Sequence, residues 1–242
     1  MKSIYYYFRR DMFKWVRGKV TVISTLIMPA AWLIFVGLTL PVTFTGNYLD
    51  FITPGILVMT VFNASMLGGS LLIFDKILGS MNKFFALPVP RESILYGKVL
   101  FIVSRGLMQA TIIFIIAILI GASILSPGTY LMIYIVLALF GVLFAAIGNT
   151  IALTVGDTDS YSAVNSMISM PLFFASSALM PYDVMPNWLR PIAKLNPLSY
   201  AIDAIRALMS GTILWLSIGI LAVLSVLVLG ICVTVFRRAS ID

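Results

Sequence analysis

The chain has 242 residues, of which 61% are hydrophobic and only 10% charged; its formal net charge is +7 and it has no histidine. That is too little charge to cover a soluble globule, and long apolar runs without alternation also exclude a transmembrane β-barrel, which leaves an all-α polytopic membrane protein. One cysteine, no histidine and no carboxylates at metal-ligand spacing provide no catalytic, metal or cofactor-binding residues, so the chain is not read as an enzyme.

The chain reads as a single transmembrane domain, 1–242. Residues 1–19 place Ile4, Phe8, Met12 and Val16 four apart beside Trp15, with Arg9, Arg10, Lys14 and Arg17 around them. This pattern predicts an interfacial helix lying apolar side down. Six spans follow, at 20–40 (with Pro29 inside), 53–74, 99–125, 131–155, 163–180 (short, with Pro171) and 213–236. The first is too long for a signal-peptide core and is read as retained. The second and fifth differ from the rest in their polar content. Asn63 and Ser70 share a helical face, and so do Asn165, Ser169, Phe173 and Ser176, with Phe62 nearby. Polar faces in hydrocarbon turn to a bundle interior or a wet path, so these seven residues are read as lining a translocation pathway; helix packing is the competing role. On the fourth span Gly141, Ala145, Gly148 and Asn149 read as packing.

Two linking segments are unusual. Segment 75–98 opens with Ile77, Leu78, Met81, Phe84 and Phe85 at spacings of three and four, and then turns at Leu87-Pro88-Val89-Pro90 before Arg91. It predicts a short amphipathic helix able to dock in a partner's groove. Segment 181–211, broken by Pro181, Pro186, Pro191 and Pro197, predicts short outer re-entrant helices, with 198–209 helical and Asp203 and Arg206 on one face. Basic residues set the orientation. Twelve lie in the N-terminal segment, the 75–98 loop and the tail; three (Arg190, Lys194, Arg206) fall on the other side, and Arg105 lies inside a span. Both termini are therefore expected in the cytoplasm of a plasma or inner membrane. The positive charge is this bias together with attraction to anionic lipid, and no nucleic-acid partner is read from it.

The loop motif Asp75-Lys76, Gly79, Leu87-Pro88-Val89-Pro90-Arg91 and Gly97-Lys98 resembles that of type-2 permeases of ATP-binding-cassette (ABC) exporters. So does the run Asn196-Pro197-Leu198-Ser199-Tyr200 leading to Asp203 and Arg206, behind Met180-Pro181 and ahead of the last span. The likeness covers nearly the whole chain and is strongest to the drug-resistance and nodulation-factor branch, which neighbours polysaccharide exporters. It departs from the pattern at Asn82, where the family often carries a carboxylate. The resemblance implies an ABC ATPase as a separate subunit that holds ATP and Mg, because no phosphate-cradling Gly-x-x-x-x-Gly-Lys-Ser/Thr occurs here. It implies a second permease subunit, as a homodimer. It assigns ATPase coupling to Ile77, Leu78, Met81, Phe84, Phe85, Pro88 and Arg91. Structural roles in the outer segment fall to Asn196, Pro197, Tyr200, Asp203 and Arg206. With no charge deep in the second and fifth spans, the cargo expected of this branch is amphipathic, drug-like or lipid-linked/glycan.

The alternative is an ion-driven secondary transporter, which would place ionisable groups near midplane. Asp157 and Asp159 lie instead in the turn 156–160, where capping the fifth span is the simpler role.

Overall fold

The computed structural model describes residues 2–39, 48–77 and 92–239, and every element among them is helical. The helices are α1 Lys2–Arg17, α2 Lys19–Thr39, α3 Tyr48–Ile77, α4 Glu92–Leu119, α5 Pro127–Thr154, α6 Thr158–Phe174, α7 Leu189–Leu195, α8 Pro197–Met209 and α9 Trp215–Ala239. A single 3₁₀ turn, Tyr182–Val184, stands between α6 and α7. Five of the helices (α2, α3, α4, α5 and α9) are long and apolar enough to cross a membrane.

Helix α3 forms the centre of the bundle and packs on α5, α4 and α2. Lipid tails are as apolar as leucine, so the bundle is held by close packing and interhelical bonds rather than by burial alone. Phe62 illustrates the packing, meeting Phe144 edge-on at 4.8 Å with Phe140 at 6.5 Å. Glycine provides the closest approach. A Cβ on Gly69 would run into the carbonyl of Gly148 and the hydroxyl of Tyr161, so only hydrogen fits where α3, α5 and α6 converge. The Tyr161 hydroxyl donates to the Met66 carbonyl and ties the start of α6 to α3. Gly141, Ala145, Gly148 and Asn149 are all buried, in keeping with a packing face.

Several boundaries differ from expectation, and those of the third and fifth spans have a local reason. The third span stops at Leu119, not 125. Gly121 takes φ 111°, its N–H bonds Ile118, and the Ala122 N–H reaches back to Ala117, the paired bonds of a Schellman end. The same geometry closes α8 at Gly211 (φ 82°), with Gly211 bonded to Leu208 and Thr212 to Ala207. The fifth span, expected at 163–180, is helical over Thr158–Phe174 instead. Asp157 starts it early by accepting the Ser160 N–H at 2.8 Å, a bond that holds its carboxyl below the usual range. Beyond Phe174 the backbone bends through 175–181. The 17 helical residues of α6 cover only ~26 Å at about 1.5 Å each.

The first helix is amphipathic, as its pattern predicts, but it is set differently. Tyr7, Asp11 and Trp15, spaced by four, are buried, whereas Val16 of the expected row is exposed. The reason lies in α4, where Gly97 leaves room for Tyr7 and for the backbone at Ile4. Helix α1 therefore docks on α4 and turns Tyr5, Tyr6 and Phe13 outward.

Candidate translocation and coupling sites

On α3, Asn63 and Ser70 are half-buried, and the Ser70 hydroxyl donates to the Leu67 carbonyl at 2.6 Å. Phe62, one position from Asn63, points into the aromatic core instead of sharing its face. Asn63 borders a cavity of about 230 Å³ between α2, α3 and α4, with Ser24, Thr25, Thr60, Arg105 and Gln109 also on its wall. Helix α6 contributes nothing to this cavity.

On α6, Asn165 and Ser169 are half-buried, and the Ser169 hydroxyl donates to Asn165 Oδ1 at 3.1 Å. Phe173 is buried edge-on to Trp32 of α2, with the rings 6.2 Å apart. Ser176 is buried and donates to the Phe173 carbonyl at 2.6 Å, so its hydroxyl is spent within the bend after α6. Of the 17 residues of α6, only Tyr161 and Phe173 are buried. Ser162, Ser166, Met167, Met170 and Phe174 all point away from the bundle.

The coupling residues Leu78, Met81, Phe84, Phe85, Pro88 and Arg91 lie outside the described residues; Ile77, the last residue of α3, is exposed. The two feet of that loop are described, and each is clamped. Asp75, at the end of α3, accepts from Lys98 of α4 at 2.5 Å and from Arg10 of α1 at 3.4 Å. Lys98 is only 3% exposed and Asp75 is half-buried, so the pair is largely shielded from water. Arg10 also holds Asp11, at 2.6 Å. On the other foot Glu92, the first residue of α4, pairs with Arg237 of α9 at 2.5 Å. Three distant parts of the chain thus meet where the loop leaves and re-enters the bundle. The reading of 75–98 as a motif includes Asp75 and Lys98 but gives no sign that they bond each other.

The outer segment is a connected polar network. Asn196 caps α8 by accepting the Leu198 N–H at 2.9 Å, while its amide donates to the carbonyls of Leu172 and Ala175 at 2.6 and 2.8 Å. It thus satisfies carbonyls left open by the end of α6. Pro197 occupies the first turn of α8, where its missing N–H costs nothing. Asp203 accepts from the hydroxyls of Ser177 at 2.8 Å and Tyr182 at 2.6 Å. Burial, then the Asp203 bond, push the Tyr182 phenol from its ordinary 10 up to about 12. Its folded value lies above its unfolded one, so its contribution is complete below pH 10 and is lost as pH rises through about 12. Arg206 lies 3.8 Å above the Phe51 ring and donates to the Phe51 carbonyl at 3.2 Å, with Asp203 3.9 Å away. Desolvation lowers it to about 10, still a cation at neutral pH. Tyr200 is half-buried against the main core. We predict that Asn196→Ala destabilises the protein by about 2 kcal/mol, because one cap and two half-buried carbonyls lose their partner. A thermal melt in detergent checks it, with Asn196→Asp expected to keep the cap yet lose most of the difference.

Sequence reasoning missed Gln109, whose amide donates to the Thr25 hydroxyl at 2.7 Å across α4 and α2, and it noted Arg105 only as lying inside a span. An ionisable or amide side chain inside an apolar run is itself the signal that could have found them.

With this geometry in place, the comparisons are direct. The chain belongs to the ABC-2 type transporter family, whose profile matches residues 2–210. The family expected from the two linking motifs is therefore the family of the chain, a multi-pass membrane permease. It is 32% identical over 203 residues to ycf38 of Porphyra purpurea, named a transport permease, covering 81% of this chain and 70% of that one. It is 26% identical over 222 residues to the daunorubicin resistance ABC transporter permease protein DrrB1 of Streptomyces coeruleorubidus, covering 89% and 78%. To nodulation protein J of Rhizobium leguminosarum bv. viciae it is 22% identical over 240 residues, covering 95% and 92%.

Proposed function

We propose that this chain is the membrane subunit of an ABC exporter, moving an amphipathic, drug-like or lipid-linked cargo under the drive of a separate ATPase subunit. The observation that carries the reading is α6. A helix with serines and methionines on its open face, almost none of it buried in its own bundle, needs protein or water beside it at membrane depth. A second copy of the chain related by a two-fold axis supplies that neighbour, and the α6 faces of the two copies then border one path. The bend 175–181, enclosed by α8, extends α6 to a sixth crossing. Its core residues Ser177 and Ala178 are fully buried, as non-helical backbone in a bilayer must be. Both termini stand in the cytoplasm of the plasma or inner membrane, and ATP with Mg is held by the partner ATPase, which docks on the loop between α3 and α4.

The test is disulfide trapping in membranes. Buried Cys232 is first replaced by alanine, and Ser166→Cys is then oxidised. A cross-linked dimer is expected, formed at least tenfold faster than with Val226→Cys on the exposed face of α9. Equal trapping at the two positions, or none at Ser166, would refute the two-fold arrangement.

A further inference from the structure

A second cavity, of about 310 Å³, opens between α1, α3 and α4. Two buried donors on its wall have no hydrogen-bond partner: Nε of Arg105 (5% exposed) and the indole Nε1 of Trp15 (8% exposed). The Arg105 guanidinium makes one long bond, 3.4 Å, to the Ala64 carbonyl. Lys14 and Lys98 stand on the same wall, and so do the carboxylates of Asp11 and Asp75. Those carboxylates are already engaged, Asp11 by Arg10 and Asp75 by Arg10 and Lys98. Orphan donors at membrane depth are costly, and a buried guanidinium calls for an acceptor. For the Arg105 Nε and the Trp15 indole N–H the protein supplies no acceptor. Trp15 also borders an apolar groove of about 500 Å³ that runs along the outer face of α2 and α4, past Val22, Ile23, Met108 and Ile112. Cationic donors on one side of the indole and an apolar channel on the other match a molecule with an anionic head and acyl tails.

We propose that this cavity is a binding site for an anionic phospholipid of the leaflet in which α1 lies. Its phosphate accepts from Arg105 and Trp15 near Lys14, and a tail lies in the groove. The site does not depend on the transport reading, because a lipid can be held here whatever the chain carries.

The test uses the full-length chain, purified with any bound partner and delipidated in detergent. It is titrated with dioleoyl phosphatidylglycerol, dioleoyl phosphatidylcholine or inorganic phosphate, and binding is read by native mass spectrometry. One phosphatidylglycerol per chain is expected, held at least ~10-fold more tightly than phosphatidylcholine, which lacks the net charge that Lys14 and Arg105 select. Arg105→Gln is expected to weaken it about tenfold, Arg105→Lys to restore most of that, and Trp15→Phe, which removes only the N–H, to weaken it about threefold. Should Arg105→Gln fail to accumulate, the Trp15→Phe and Arg105→Lys measurements still decide. Equal binding of the two lipids, or phosphatidylglycerol affinity unchanged in the Trp15→Phe and Arg105 variants, would overturn the site. Inorganic phosphate bound as tightly as the lipid would overturn the lipid assignment.

Discussion

Replacing Asp75 with leucine is expected to lower the melting temperature of the protein by roughly 10 °C. Lys98 is 3% exposed, and its ammonium is held by Asp75 at 2.5 Å. Removing the carboxylate strands a nearly buried cation without its direct partner, a change that costs about 3–5 kcal/mol. For a chain of this size each kcal/mol moves the midpoint by ~2–4 °C. Arg10 loses the same acceptor, but it keeps Asp11 and is partly exposed, so its share is small. The pairing makes a sharper forecast than the single change. Adding Lys98→Met to Asp75→Leu removes the stranded charge and should restore more than half of the loss, because apolar side chains of similar volume replace buried ion pairs well. A thermal melt of wild type, the two single variants and the double variant completes the cycle. An Asp75→Leu melt within 2 °C of wild type, or a double variant no better than the worse single one, would show that the clamp does not hold α1, α3 and α4 together.

How much of this could be read beforehand depends on the range of the interaction. Hydropathy places six spans, and five of them are long apolar helices in the structure, because a run of about 20 apolar residues is a local property that no distant contact can mimic. Cap chemistry is equally local, and Asp157 reads as a capping residue, but the serines of 158–162 dilute the hydropathy and push the expected start of the fifth span to 163. Gly121 failed as a signal for a related reason. Ile120, Ala122, Ile124 and Leu125 carry the apolar run past the glycine, and only the backbone bonds to Ala117 and Ile118 show the helix already closed. Period-four spacing on α1 fits two rows at once. Ile4, Phe8, Met12 and Val16 look more apolar, but Gly97 on α4 gives the Tyr7, Asp11 and Trp15 row a place to dock. The site itself divides in the same way. Asn196 and Asp203 belong to a contiguous motif that is legible in the sequence. The Asp75 clamp and the Gln109–Thr25 bond join residues 23 and 84 positions apart, which no single-sequence periodicity encodes.

The clamp gives the loop it supports a mechanical meaning. Alanine at both Phe84 and Phe85 is expected to abolish transport driven by the partner ATPase while leaving the melt of the permease within about 2 °C of wild type. By sequence pattern these two rings share a helical face with Ile77, Leu78 and Met81, and an amphipathic turn of this kind fits a hydrophobic groove on a partner. Truncating a buried aromatic anchor costs roughly 2 kcal/mol or more, or about 30-fold in affinity, so two together would take the ATPase off the membrane subunit at ordinary concentrations. The described residues explain why such a contact would do work beyond docking. The loop leaves α3 two residues after Asp75 and re-enters at Glu92, and its feet are bonded to α1, α4 and α9. A displacement imposed on the loop is therefore passed to three helices at once rather than lost in a slack connector. ATP binding can shift the bundle only through such a difference in contacts between two states. Co-purification of the ATPase, its hydrolysis rate and cargo uptake into inverted vesicles are measured together. Hydrolysis is expected to persist at the ATPase's own basal rate, with the ATPase recovered at a small fraction of its usual yield and uptake at background. Uptake and hydrolysis both unchanged in the double variant would mean that the force enters the bundle somewhere other than between α3 and α4.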